Sequence, residues 1–159
     1  MSMDVKSFPD FDRKQCWLVT GVAGFIGSNL LEYLLSNGQR VIGIDNYSTG
    51  FESNIDEAIA DAGFERADAD FTFIEADVSD IRYHMSALEG VDYVLHQAAL
   101  GSVPRSIEDP FATNHSNVTG FLSVLHAAVQ LDVKKFVYAG SSSTYGDSKD
   151  LPKREDVIG

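Results

Sequence analysis

The 159-residue sequence has a single cysteine and few basic residues. Cys16 has no second cysteine to pair with, so we interpret it as a small buried hydrophobic residue in a reducing compartment. The 12 Lys and Arg residues are outnumbered by 24 Asp and Glu, and the net charge of −12 repels nucleic acids and anionic membranes. The composition therefore argues against a disulfide-stabilised or nucleic-acid-binding protein.

Long apolar runs are also missing from the sequence. No segment approaches the length of a membrane span, and residues 1–14, which we interpret as an N-terminal extension, lack the apolar core of a secretory signal. A cytoplasmic protein with no membrane partner is the expectation. The length suits one well-buried domain, which we expect over residues 15–159.

Strand-like apolar segments alternate along the chain with helical patterns. The five predicted strands are 16–20, 41–45, 71–75, 93–97 and 136–140. The predicted helices are 25–36, closed by Asn37 and Gly38, and 53–62, 81–88 and 113–131. The last helix has an apolar stripe of Val118, Phe121, Leu122, Leu125 and Val129. This alternation predicts an α/β fold, a Rossmann-like doubly wound parallel sheet with helices on both faces.

Three glycines, spaced three apart, join the first predicted strand to the first helix. Gly21 permits a tight turn, Gly24 lets backbone N–H groups reach a pyrophosphate, and Gly27 allows close helix packing. The positive end of the helix dipole faces the same anion. The segment is therefore a predicted phosphate cradle, and its remaining cofactor-binding residues are Ala23, Phe25 and Ile26.

An acidic residue, Asp45, ends the second predicted strand. Its carboxylate can accept hydrogen bonds from both ribose hydroxyls of an adenosine, and it would repel a 2′-phosphate. No Arg or Lys occurs in residues 46–50 to neutralise such a phosphate, so the sequence favours NAD over NADP. A solvated carboxylate at a strand end is the alternative interpretation. The loop residues predicted to bind the cofactor with Asp45 are Asn46, Ser48, Thr49 and Gly50.

Two further strand ends are predicted to contact the cofactor. After the third strand, Asp77 is placed to contact an adenine while Val78 packs on the ring, and the alternative for Asp77 is a loop cap. After the fourth strand, a backbone of small residues would pass flat against a dinucleotide at Gln97, Ala98 and Ala99. We interpret the adjacent His96 as a hydrogen-bonded core residue. For Arg105, a phosphate contact and a role in ordering its loop both stay open.

Four consecutive hydroxyl side chains, residues 141–144, follow the fifth predicted strand. One interpretation is a turn closed by its own hydroxyls. We favour hydrogen bonding to a substrate hydroxyl that becomes a carbonyl, because these residues lie at the switch point of the sheet, beside the glycine turn.

Together these motifs resemble the extended short-chain dehydrogenase/reductases that act on nucleotide sugars. The resemblance covers residues 15–159 and rests on residues 20–27, 45–46, 77–78, 96–99, 117 and 141–146. Within that family, residues 96–106 and 141–146 are most similar to the UDP-N-acetylhexosamine 4-epimerases.

The resemblance implies NAD-dependent 4-epimerisation of a UDP-sugar, UDP-GlcNAc or UDP-GalNAc, through a 4-keto intermediate. It implies that Ser141 hydrogen-bonds O4, that Ser143 assists it, and that Asn117 supports the active-site helix. Further substrate contacts are implied for Gly101, Ser102, Val103 and the more peripheral Ser142. No metal is expected.

The general base of this family is the Tyr of a Tyr-x-x-x-Lys motif. Tyr145 and Lys149 have that spacing, but Gly146 and Asp147 between them predict a turn, whereas a helix must place the pair on one face. We therefore expect the catalytic pair and the substrate domain to lie beyond residue 159, and this chain to be inactive alone. The resemblance implies a homodimer of the complete protein, through a four-helix contact built partly from helix 113–131, provided that the second contributing helix follows Gly159.

Three other functions compete with this one. A nucleotide-sugar dehydratase would have an Asp-Glu pair where Ser142 and Ser143 stand, which argues against it. A UDP-glucuronate decarboxylase stays open because its distinguishing contacts lie mostly beyond Gly159. A module that binds NAD and regulates a partner would explain the missing Tyr-Lys pair, whereas the serine cluster opposes it.

Overall fold

A computed structural model describes residues 11–149 and 151–156, so most of the predicted N-terminal extension lies outside the described residues. In the described part of the chain, five parallel strands form one sheet in the order β3-β2-β1-β4-β5. They are β1 (Cys16–Thr20), β2 (Arg40–Asp45), β3 (Phe71–Glu75), β4 (Tyr93–His96) and β5 (Lys135–Tyr138). Since β2 and β4 flank β1, the strand order reverses there, and a crevice is expected at the carboxyl ends of these strands.

Helices cover both faces of the sheet, which confirms the predicted fold class. The α-helices of the described residues are α1 (Phe25–Ser36), α2 (Glu52–Asp61), α3 (Val103–Glu108), α4 (Pro110–Asn114) and α5 (Phe121–Gln130), of which α3 and α4 have no buried residue. On β1, Trp17 and Val19 pack in a core with residues of α1 and α2, whereas Leu18 packs in a second core with residues of α5. Within the described residues, no helix is both long and apolar enough to cross a membrane.

Helix α1 ends where its sequence predicts. Asn37 is the cap residue, and its side-chain amide donates a hydrogen bond to the carbonyl oxygen of Tyr33 at 2.7 Å. Gly38 follows with φ of 69°, in the left-handed region that terminates many helices.

The other predicted boundaries need corrections. Strand β5 ends at Tyr138 and not at residue 140, and β4 ends at His96 and not at residue 97. The predicted helix 53–62 is α2, displaced by one residue. The predicted helix 81–88 is two 3-10 helices, Val78–Tyr83 and Met85–Leu88. The first begins earlier than predicted because the carboxylate of Asp77 accepts a hydrogen bond from the N–H of Ser79.

The predicted long helix 113–131 begins earlier and contains a π-helix, His115–Gly120, that joins α4 to α5 without a break. Only part of its predicted apolar stripe is buried: Val118, Leu122 and Val129 are 57%, 62% and 72% exposed, whereas Phe121 and Leu125 are half-buried. The buried face consists of Gly120, Val124, Ala127 and Ala128. These are mostly small residues, so the helix packs closely on its neighbours, and Val118, Leu122 and Val129 point outward, whereas the ring of Phe121 contacts those of His96 and Phe136.

Candidate functional site

The glycine turn after β1 is too tightly packed for side chains. Gly21 has φ of 68°, and a Cβ there would lie 2.8 Å from the amide nitrogen of Ala98. A Cβ on Gly27 would lie only 2.0 Å from the carbonyl oxygen of Gly21. Because both positions exclude a Cβ, α1 packs directly against the turn, and the turn packs against the segment after β4. The steric roles predicted for these two glycines are confirmed.

The N-terminus of α1 is open to an anion. Gly24 is the cap residue, no side chain of the described chain caps the helix, and its first turn holds no acidic residue. Phe25 and Ile26 are exposed. Backbone N–H groups at a helix start have no partner within the helix, and they face outward together with the positive end of the dipole. This cradle fits a phosphate group.

Asp45 connects the end of β2 to the glycine turn. Its buried carboxylate accepts hydrogen bonds from the N–H groups of Ala23 at 2.9 Å and Tyr47 at 2.8 Å. The alternative of a solvated carboxylate is therefore wrong. Each oxygen keeps further capacity to accept a hydrogen bond, which a ribose hydroxyl can use.

Asp77 caps the 3-10 helix Val78–Tyr83, which confirms the alternative interpretation of this residue as a cap, and it also lines the crevice. One carboxylate oxygen accepts from the N–H of Ser79, and the other accepts from the side-chain amide of Asn46, each at 2.9 Å. Burial alone would raise the pKa of Asp77, but the hydrogen bonds from Ser79 and Asn46 outweigh it, so the pKa is lowered. The carboxylate is thus ionised at neutral pH.

His96 is a core residue, as its position in an apolar strand indicates. It is 5% exposed, and its Nδ1 lies 2.8 Å from the hydroxyl of Thr20, which also accepts a hydrogen bond from the N–H of Ala98. Its ring contacts those of Phe121 and Phe136. Burial lowers the pKa of His96 to about 4, so the ring is neutral at neutral pH.

The ends of the strands meet around one cavity, which we call the first cavity. The predicted cofactor-binding residues that line it are Gly21, Gly24, Asp45, Asn46, Ser48, Thr49, Gly50, Asp77, Val78, Gln97, Ala98 and Ala99. The predicted residues Ala23, Phe25, Ile26 and Gly27 lie beside it in the turn and in α1. Ala76, Leu100 and Ser116 also line the cavity and were missed: Ala76 and Ser116 belong to no motif, and Leu100 lies in the motif 96–106 without a polar group that indicates binding.

A second cavity adjoins the first and shares residues 97–100 with it. It also contains Gly101, Asn117 and Ser141, three residues predicted to contact or support the substrate. Ser102 and Val103 instead begin α3, and Ser142 and Ser143 lie in a 3-10 helix, Ser142–Tyr145. The structure therefore brings together only part of the predicted substrate set.

Asn117 holds the loop that separates the two cavities. Its side-chain oxygen accepts from the N–H of Leu100 at 2.7 Å, and its amide nitrogen donates to the carbonyl oxygen of Leu100 at 2.9 Å. The nearby Arg105 donates to the carbonyl oxygen of Gly101 at 3.2 Å, so it orders its own loop. One asparagine in the π-helix thus satisfies both backbone groups of Leu100.

The hydroxyls after β5 form a turn of their own. Ser141 caps the 3-10 helix Ser142–Tyr145, accepting from the N–H of Ser143 at 3.2 Å and donating to the hydroxyl of Ser143 at 3.0 Å. Gly146 ends that helix with φ of 53°. Tyr145 and Lys149 therefore do not share a helix face, and the predicted turn between them is confirmed.

The NAD dependent epimerase/dehydratase family matches residues 17–158 of this chain. The chain belongs to this family. The resemblance to nucleotide-sugar epimerases is thereby confirmed, and so is NAD as the cofactor on which the family depends. The cradle at the start of α1 and the buried carboxylate of Asp45 fit such a dinucleotide.

Two 4-epimerases of known structure share this fold. The UDP-N-acetylglucosamine 4-epimerase of Methanobrevibacter ruminantium is 31% identical, with a TM-score of 0.79 over 92% of this chain and 44% of that one. The UDP-glucose 4-epimerase of Bifidobacterium longum, solved with NAD⁺ and UDP, is 29% identical, with a TM-score of 0.80 over 91% of this chain and 43% of that one.

A protein with another activity is also similar. UDP-glucuronic acid decarboxylase 1 of Danio rerio is 34% identical over 98% of this chain and 34% of its own length. The chain spans between 34% and 43% of the length of the curated relatives that it matches. The comparisons therefore show the family and its fold for this chain.

Proposed function

We propose that this chain is the NAD-binding part of a UDP-N-acetylhexosamine 4-epimerase, which interconverts UDP-GlcNAc and UDP-GalNAc. The observation that carries the proposal is the pair of adjoining cavities at the carboxyl edge of the sheet, one beside the glycine turn and one beside Ser141. Membership of the epimerase/dehydratase family supports the reaction class. The likeness to a UDP-N-acetylglucosamine 4-epimerase supports the sugar.

The first cavity is the proposed cofactor site. The glycine turn and the N-terminus of α1 would hold the diphosphate, because a net charge of −12 provides no attraction and backbone N–H groups must supply it. Asp45 would bind the adenosine ribose. Asp77 and Val78 would face the adenine from the next strand end.

The second cavity is the proposed site of the sugar. When bound, NAD supplies the oxidation and re-reduction of the sugar carbon C4. Ser141 would hydrogen-bond O4, and Ser143 would hold Ser141 in place because their hydroxyls are 3.0 Å apart. Asn117 would keep the wall at Leu100 in position. We assign the general base to a part of the complete protein outside residues 15–159, since Tyr145 and Lys149 are separated by a turn.

Binding of the dinucleotide tests the first half of this proposal. Calorimetry on the 159-residue chain should show NAD binding one to one, and binding of NADP at least about tenfold weaker because Asp45 repels a 2′-phosphate. Asp45→Asn should weaken NAD binding by roughly tenfold. The asparagine side chain carries no charge, and its NH2 group cannot accept a hydrogen bond from a backbone N–H as the second carboxylate oxygen does. Asp61→Asn, on the exposed end of α2, is the matched control and should bind like the original chain. Equal affinity for NAD and NADP would contradict the assignment of Asp45.

Turnover tests the second half. The longest natural form should convert UDP-GlcNAc into UDP-GalNAc, followed by chromatography of the nucleotide sugars. Decarboxylation of UDP-glucuronate is the second candidate, favoured by the likeness to the Danio rerio decarboxylase. Retention of NAD with neither conversion would instead identify a binding module.

We also propose self-association of the complete protein. The outward apolar face of the helix, formed by Val118, Leu122 and Val129, would be its contact surface. A cytoplasmic location stays a prediction from composition.

A further inference from the structure

The π-helix His115–Gly120 contacts loops on both sides of the first cavity. Nε2 of His115 lies 2.9 Å from the hydroxyl of Ser79, which follows β3. Two residues later, Asn117 holds Leu100, which follows β4. Ser116, between them, lines the cavity itself. This π-helix thus contacts the segment after β3 and the segment after β4, which form opposite walls of the first cavity. Turns of π-helix are frequent at functional sites.

A second contact joins the π-helix to the adenine side of the cavity. Gly120 packs against Val78, and a Cβ on Gly120 would lie 2.7 Å from a methyl group of Val78. His115 therefore hydrogen-bonds Ser79, and Gly120 packs against the preceding residue, Val78, at the start of one 3-10 helix. Both contacts fix the position of Val78.

The bond between His115 and Ser79 begins a chain of hydrogen bonds along the edge of the cavity. The N–H of Ser79 donates to Asp77 at 2.9 Å, and the amide of Asn46 donates to the other oxygen of Asp77 at 2.9 Å. The N–H of Ser48 in turn donates to the side-chain oxygen of Asn46 at 3.0 Å. Asp77, Asn46 and Ser48 all line the first cavity.

Ser79 has little access to water as a substitute partner, because it is only 8% exposed. The Ser79 hydroxyl also hydrogen-bonds the Asp77 carboxylate, and loss of the imidazole would leave the bond to His115 unreplaced at a largely buried hydroxyl, which costs more than the loss of an exposed hydrogen bond. The 3-10 helix would then shift to regain a partner, and Asp77 and Val78 would move with it.

We infer that His115 is a positioning residue which, through Ser79, holds Asp77 and Val78 where the adenine of the cofactor binds. The inference rests on the proposed function, since it takes the first cavity as the NAD site. His115 acts on the adenine half of the cofactor alone, so its effect is the same for AMP as for NAD.

Calorimetric titration of the full chain with AMP and with NAD, below the melting transition of every variant, tests this inference. His115→Phe should weaken the binding of both ligands by roughly fivefold. His115→Gln should restore affinity to within about twofold, because the Gln amide can still hydrogen-bond the Ser79 hydroxyl. His126→Phe, on the exposed side of α5, is the matched control and should bind both ligands normally.

A double-mutant cycle guards against a misfolded single variant. Ser79→Ala removes the same hydrogen bond from the other side, together with the bond from the hydroxyl to Asp77, so it should cause at least the same loss, and the double variant should lose no more than Ser79→Ala alone. Unchanged AMP affinity in both single variants overturns the inference, and so does a loss for NAD alone. Fully additive losses also overturn it. Failure of the unsubstituted chain to bind NAD would overturn this inference together with the proposed function, whereas NAD binding without the His115 effect overturns the inference alone.

Discussion

Burial decides the ionisation of His96. The aromatic side chains around the imidazole give the charged ring no hydration, and they lower its pKa from 6.5 to about 4. The unfolded chain therefore takes up a proton on His96 at a higher pH than the folded chain does. This difference links the stability of the fold to pH.

The His96 contribution is fully present above pH 6.5 and is lost progressively as the pH falls toward 4, because the folded pKa is the lower one. Between pH 7 and pH 5, the free energy of unfolding should fall by about 2 kcal/mol on account of this residue. His96→Asn should remove that part of the slope, measured by urea denaturation at both pH values. His126→Asn, at an exposed histidine, should retain it. Equal slopes for the original chain and the His96 variant would contradict the prediction.

Some residue environments follow from local sequence, and others do not. His96 in an apolar strand and Asp45 at a strand end could be placed from the sequence, because strand patterns determine burial and position. The partnership of Ser79 with His115 could not, because it joins residues 36 positions apart and neither belongs to a recognisable motif. The double hydrogen bond of Asn117 was likewise invisible before the fold was known.

At the level of elements, short-range signals were reliable and long-range packing was not. The glycine turn and the end of α1 are set by backbone conformations that glycine adopts easily, so the sequence predicts them. The buried face of α5 is chosen by the surface beneath it. That surface leaves no room for a Cβ at Gly120 and buries Val124, Ala127 and Ala128, so Val118, Leu122 and Val129 of the apolar stripe point outward.

The loop after β4 should depend on Asn117. In Asn117→Asp, the carboxylate can still accept from the N–H of Leu100, but it cannot donate to the carbonyl oxygen and repels it. Residue-resolved hydrogen exchange should show the Leu100 amide exchanging roughly tenfold faster. Asn29→Asp, at an exposed position on α1, serves as the control with unchanged exchange at Leu100. Protection of Leu100 that is the same in both variants would show that other contacts hold this loop.

For the whole molecule, fold class was the most predictable property. Alternating strands and helices specify a parallel sheet covered on both faces, and the order of the strands then places their motifs at one crevice. The spacing of apolar residues does not show which outer surfaces contact another molecule. An apolar stripe has the same spacing whether it faces the core or a partner, so only the structure separates the two cases.

The outward stripe on the helix yields a prediction about assembly. In the longest natural form, Leu122→Lys should shift sedimentation from dimer to monomer, because a charge replaces a side chain that is exposed in the single chain and buried in the proposed contact. Circular dichroism should stay unchanged. Leu151→Lys, at another exposed apolar residue outside this face, should leave the dimer intact. A dimer that survives the Leu122 substitution would place the contact elsewhere.

The buried thiol of Cys16 in the central strand can report, through its rate of alkylation, when this part of the fold opens. Burial raises its pKa, and β1 is hydrogen-bonded on both edges, to β2 and to β4. The Cys16 side chain lies in the core that includes Val124, Ala127 and Ala128 of α5, so an alkylating reagent reaches the sulfur only when this core opens, and no engineered label is needed to time that opening. A dinucleotide bound to the turn directly after β1 would therefore slow the alkylation of Cys16 at the other end of the same strand.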